Sequence, residues 1–235
     1  MSDDASAPAL DSSRTIIALV LAPLVFILAA GLMGALNSSF FHASNMAMLL
    51  ILSAVAITLT TGAVLMLSGV RASEFSATLR LTKPSLRFVF AGILVAVGVF
   101  AINVAVTAML PGEAAAAGAE LQKQTGVSYA LAAYLFVPLV APLFEELLTR
   151  GALMGVILRT RSAPKWLAII LPAVAFSLMH FQGVSTVADG RVLLVTLISG
   201  LAFGYLAYRA GSIWPAVIAH GGQNLLVVLV ALAVS

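Results

Sequence analysis

The sequence predicts an all-α bundle of membrane-spanning helices, about seven with eight as the alternative count, and places the N-terminus in the cytoplasm. Three observations carry that prediction. Of 235 residues, 62% are hydrophobic and only 9% charged, against roughly 25% charged in soluble domains. Mean hydropathy is +1.12, and several apolar runs reach the ~18 residues that a bilayer crossing needs. The basic residues are confined to short connections and favour alternate ones.

Met1 to Ser13 is polar and acidic, with Asp3, Asp4 and Asp11, and reads as a disordered tail. Residues 14–235 read as one transmembrane domain, because no linker rich in Ser, Pro or charge divides them. The first apolar run, from Thr15 to Leu36, is too long for a signal-peptide core and lacks a charged leader, so it is expected to be a retained helix. A turn at Asn37-Ser38-Ser39 leads to a second span, Ser44 to Leu67, and a charged loop from Gly69 to Arg87 to a third, Phe88 to Leu110. Pro111-Gly112 ends that span, and an Ala-rich, slightly acidic loop follows. Span four covers Ser128 to Leu158, span five Pro164 to Phe181, span six Val192 to Tyr208 and span seven Ile213 to Val234, with Asp189 and Arg191 in the loop before span six.

Charge orients the bundle. Connections after spans two, four and six carry Arg71, Arg80, Lys83, Arg87, Arg159, Arg161, Lys165 and Arg209; those after spans one, three and five carry only Lys123 and Arg191. The positive-inside rule puts the first group in the cytoplasm. The net charge of +3 is therefore a topology signal, and no nucleic-acid partner is expected. Cysteine is absent, which excludes disulfides and thiolate-bound metal.

Span four contains the anomaly. Glu145, Glu146 and Arg150 lie within six positions of an oily segment, and each would cost about 2.5–3.5 kcal/mol at a bilayer centre. Glu146 and Arg150 are four apart, in the favourable order for pairing on one helix face. Glu145, rotated by about 100°, has no such partner. Pro138 and Pro142 remove backbone donors just ahead of it, so the helix is expected to be kinked or locally open there. A buried Glu–Arg pair tying helices together would account for Glu146 and Arg150 but not for Glu145.

Partners exist on other spans. His180 follows Phe176 by one turn on span five, and His220 precedes Asn224 by one turn on span seven, with Gly221 and Gly222 between them allowing close helix approach. Alone, His180 reads more readily as a hydrogen-bonded packing or interface residue, and His220–Asn224 reads equally well as an interhelical hydrogen-bonding pair. Together they lie at compatible depths. His220 is about 10 Å from the start of its span, and Glu145 and His180 are about 20 Å from the same side. His42 lies in the first loop and reads as incidental, Trp214 as an interface anchor, and Asn103 is the main polar group inside spans one to three.

Three pieces, Glu-Glu-x-x-x-Arg at 145–150 followed by Gly151, Phe-x-x-x-His at 176–180 and His-x-x-x-Asn at 220–224, resemble the CAAX-prenyl-protease and bacteriocin-processing intramembrane proteases. So does Gly211-Ser212-Ile213-Trp214-Pro215. Each motif alone is weak; three in order on separate spans are specific. The likeness covers about residues 128–232, and Thr149 departs from the bulky residue often found before the arginine.

The resemblance implies an intramembrane endopeptidase. Glu145 and His180 would activate a water, His220 and Asn224 would stabilise the oxyanion, and Glu146, Arg150 and Phe176 would support them. It implies no cofactor, with a zinc site on Glu145, His180 and His220 as the alternative. Membrane lipids and a peptide or membrane-protein substrate, lipidated ones included, are the implied partners. The substrate would arrive from the cytoplasmic side, for CaaX-type or bacteriocin-related processing, in a bacterial inner membrane. A membrane scaffold or immunity protein is the first competing reading. A transporter is the second, and the lack of ionisable groups in spans one to three counts against its usual repeat architecture.

Overall fold

The computed structural model describes residues 9–36, 46–110, 132–180 and 187–233, and all named elements in them are helical. Helix α1 (Ser12–Leu36) and α2 (Met46–Leu67) form an antiparallel pair. A short turn and α3 (Phe75–Thr78) lead into α4 (Leu86–Met109). The glutamate-bearing region follows as one composite rod: a π-helical stretch Ala132–Val140, α5 (Ala141–Glu146), a second π-helical stretch Leu147–Leu153, and α6 (Met154–Arg159). Helices α7 (Leu167–Met179), α8 (Val187–Ala210) and α9 (Trp214–Ala233) complete the bundle.

Four helical stretches are long and apolar enough to cross a membrane: Ser12–Met33, Leu50–Leu67, Leu86–Met109 and Gly190–Ala210; Leu167–Met179 and Trp214–Val230 are shorter apolar helices. The chain is an integral, multi-pass membrane protein. Two sequence boundaries move. Helix α1 opens at Ser12, inside the segment assigned to the tail, and Leu10 N–H bonds to Arg159 O at 2.9 Å. Asp189 and Arg191, expected in a loop, fall in the first turns of α8, because hydropathy alone trims charged residues from a helix end. The expected turn at 37–39 and the acidic loop at 113–123 lie outside the described residues.

Large side chains such as Val20, Leu28, Leu94 and Met109 face outward, as lipid-exposed helices require. Inside, small residues let helices touch. Ala22 packs with Ile57, Val64, Leu148 and Ala152, and Met154, Ala168, Phe203, Ala207, Ala216 and Ala219 form a second cluster.

One end of the bundle gathers the basic connections. Arg159 Nη2 donates to Glu74 Oε2 at 2.8 Å, and this hydrogen bond holds the Glu74 carboxyl below its ordinary range. Ser12 and Ser162 hydroxyls pair at 2.6 Å. Arg80 adopts a positive φ of 58°, a conformation that side chains usually avoid. There its Nη2 reaches Ala207 O at 2.8 Å and its carbonyl accepts Ile213 N–H at 3.2 Å. Ser212 Oγ donates to Thr82 O at 2.6 Å. The segment 80–82 thus grips the turn between α8 and α9 and sets where α9 begins.

Candidate active site

The composite rod departs from regular α-helix where its prolines sit. In π-helical register the carbonyl of residue i accepts from residue i+5, so the donor for Val137 O would be Pro142, which has no N–H. Asn224 takes that place: its Nδ2 donates to Val137 O at 3.0 Å. In α-helical register Pro142 would also leave Pro138 O unbonded, and Gly221 lies against it. A Cβ at Gly221 would stand 2.6 Å from Pro138 O, and one at Gly222 would stand 3.0 Å from Ala96 Cβ. Gly221 therefore lets α9 lie directly on the opened backbone, and Gly222 lets it approach α4. Gly221→Ala is expected to push α9 off the rod, break the Asn224–Val137 bond and lower activity at least ~10-fold, with a stability cost in the ~1–3 kcal/mol range of overpacking. Parallel rate and thermal-unfolding measurements check this.

Glu146 and Arg150 pair as the spacing predicts. Both side chains are 0% exposed, and Arg150 Nη1 donates to Glu146 Oε1 at 2.6 Å. The guanidinium also donates to Thr149 Oγ1 at 2.9 Å and to Gly200 O at 2.7 Å, and it lies over the rings of Phe176 and Phe203 at 4.9 and 5.7 Å. A planar, forked cation meets such a ring of acceptors and π-faces; an ammonium would not. Gly200 can offer its carbonyl because α7 runs close by: a Cβ there would meet Ala173 at 3.1 Å.

The same Glu146 oxygen has a second partner. His220 Nδ1 lies 3.1 Å from Glu146 Oε1, which leaves Nε2 as the nitrogen facing the rest of the site. Phe203 stacks on the His220 ring at 5.3 Å and Phe176 meets it edge-on at 5.3 Å. Nε2 points towards Glu145, whose Oε2 is 3.9 Å away. That gap is too long for a direct hydrogen bond and suits a bridging water. Glu145 Oε2 is buried without a hydrogen-bond partner, although the side chain as a whole is 16% exposed.

Among the described residues, the imidazole that meets Glu145 is thus His220, where the motif reading paired it with His180. His180 terminates α7, its Nδ1 2.9 Å from Phe176 O and its ring 4.8 Å from the Phe176 ring. Phe176 therefore touches both imidazoles. His180 and Asn224 face a cavity of about 330 Å³ lined also by Asn103 and Gln223.

Sequence reasoning missed Gln223, Phe203, Gly200 and the role of Thr149. Thr149 Oγ1 donates to Glu145 O at 2.6 Å and accepts from Arg150, so a small hydroxyl residue there binds both charged neighbours. Gln223 carried a readable signal, a polar residue between His220 and Asn224 on an apolar span. As to the zinc alternative, no group of three His, Asp or Glu side chains among the described residues is arranged to hold a metal ion.

Residues 127–226 match the family model described as Rce1-like, type II CAAX prenyl endopeptidase. No curated protein and no solved structure matches the chain. The matched segment contains Glu145, Glu146, Arg150, Phe176, His180, His220 and Asn224.

Proposed function

We propose, from the premise that residues 127–226 belong to the Rce1-like family of type II CAAX prenyl endopeptidases, that this chain hydrolyses a peptide bond within the membrane by a metal-free, glutamate-based mechanism. The observation that carries the reading is the unpartnered, buried Glu145 Oε2 facing His220 Nε2 across 3.9 Å. A carboxylate so placed accepts a proton from a water that attacks the scissile carbonyl, and His180 helps to position that water. The oxygen of the carbonyl becomes an oxyanion and receives hydrogen bonds from His220 Nε2–H and Asn224 Nδ2–H. Glu146 serves here by accepting from His220 Nδ1, which orients the ring. When the tetrahedral species collapses, the C–N bond breaks and the proton held by Glu145 passes to the departing amine.

The substrate class is a C-terminal CaaX-type peptide, lipidated at its cysteine. It enters from the cytoplasmic side of a bacterial inner membrane, with the basic connections and the N-terminus in the cytoplasm. A scaffold role accounts for Glu146, whose Oε1 is held by Arg150 and His220, but gives Glu145 no comparable tie. A transporter role leaves the paired broken helices of known exchangers without a counterpart in α1 to α4. The test is release of the C-terminal tripeptide from a prenylated CaaX peptide by purified protein in proteoliposomes, before and after treatment with a strong chelator. Equal release in both supports the proposal. Loss on chelation and recovery with zinc would sink its metal-free part, and no release at all its enzymatic part.

A further inference from the structure

We propose that Arg191 binds the C-terminal carboxylate of the peptide substrate, an assignment that rests on the endopeptidase reading above. The cavity beside the catalytic groups carries His180, Asn224, Asn103, Thr196 and Gln223 on its wall, and Arg191 is its one charged residue among those described. The rest of its lining is largely valine, so a mainly apolar hollow with several hydrogen-bonding side chains and a single cation suits a ligand with apolar side chains, a hydrogen-bonding backbone and one negative point.

Arg191 has donors to spare. Its Nη1 gives one hydrogen bond, to Leu110 O at 3.1 Å, out of the five N–H groups a guanidinium carries. The planar fork matches a carboxylate two bonds at a time. Its position also fits. Thr196 Oγ1 donates to Ser177 Oγ at 3.2 Å, which sets the antiparallel register of α7 and α8. His180 lies three residues beyond that contact on one helix and Arg191 five residues beyond it, towards the same end, on the other. Their backbones therefore sit within about one helical turn of each other along the bundle. A carboxylate three residues past the scissile bond is about 10 Å from it when extended. That distance keeps the peptide end inside this cavity, within the sweep of the long arginine side chain.

The geometry also gives the substrate a direction. Arg191 and Leu110 lie at the end of α4 and α8 opposite to the one where Arg80 meets Ala207 and Arg159 meets Glu74. A peptide entering from the basic end would lead with its C-terminus and come to rest when the carboxylate meets Arg191. Specificity for a free chain end follows from that stop.

The test uses the full chain in nanodiscs and a fluorescent prenylated CaaX peptide made as the free acid and as the C-terminal amide. Binding is measured on the wild type, Arg191→Gln and Arg191→Lys, and cleavage on the wild type. The wild type is expected to bind the acid roughly 10- to 100-fold more tightly than the amide, the span expected of a charged hydrogen-bond pair. Arg191→Gln should bind both forms with the amide's affinity, and Arg191→Lys should keep part of the preference. Equal binding of acid and amide by the wild type overturns the assignment, as does no binding of either, or an acid preference that survives in Arg191→Gln. Tight, acid-selective binding without cleavage would defeat the endopeptidase reading and leave the Arg191 assignment standing. Cleavage without selectivity would do the reverse.

Discussion

Arg150→Met is expected to lower the unfolding free energy by about 3–5 kcal/mol, the cost of removing one partner from a buried ion pair. The substitution keeps a long apolar stem but strands the Glu146 carboxylate, which is 0% exposed. It also removes the donor to Gly200 O, and with it the polar tie between the composite rod and α8. Thermal unfolding in a mild detergent should register a large downward shift. Arg150→Lys should recover only part of it, because an ammonium cannot serve Glu146, Thr149 and Gly200 in the same plane. Unchanged stability in Arg150→Met would mean that Glu146 finds a different partner, and would remove the structural reason for the motif's arginine.

Glu145→Gln is expected to reduce kcat by about 10²–10⁴, the contribution of a positioned general base, with little change in unfolding temperature. The two halves of that expectation come from different observations. The rate loss follows from the proton acceptor facing His220 Nε2. The neutral stability follows from Oε2 having no hydrogen-bond partner to lose. Glu146→Gln should do the opposite in kind, damaging stability and rate together, because its oxygen is shared by Arg150 and His220. Adjacent glutamates with such different signatures would separate the chemical role from the bracing role.

Much of this arrangement was legible in the sequence because it is local. Apolar runs gave the helices, the basic connections do gather where Arg159, Glu74, Arg80 and the α8–α9 turn meet, and the four-residue spacing of Glu146 and Arg150 gave their pair. What was not legible depends on contacts between distant spans. The sharing of Glu146 with His220 joins residues 74 positions apart. No periodicity carries that, so the sequence could not show that His220 comes within 3.9 Å of Glu145. The bond from Asn224 to Val137 was hidden for a subtler reason. The prolines announced a broken helix, but only the π-helical register identifies the carbonyl that Pro142 leaves open and a side chain on α9 satisfies.

The central claim is that Glu145, taking the proton of the attacking water, and His220, holding the oxyanion it creates, act on one tetrahedral species in the same step, and a double-substitution cycle measures it. Tripeptide release would be timed for the wild type, Glu145→Gln, His220→Gln and the double variant, all in proteoliposomes at matched folded protein. Residues that share one reacting group are strongly non-additive, so the double variant should be about as slow as Glu145→Gln alone. Losses that multiply would place the two side chains in separate steps and contradict the site described for this chain.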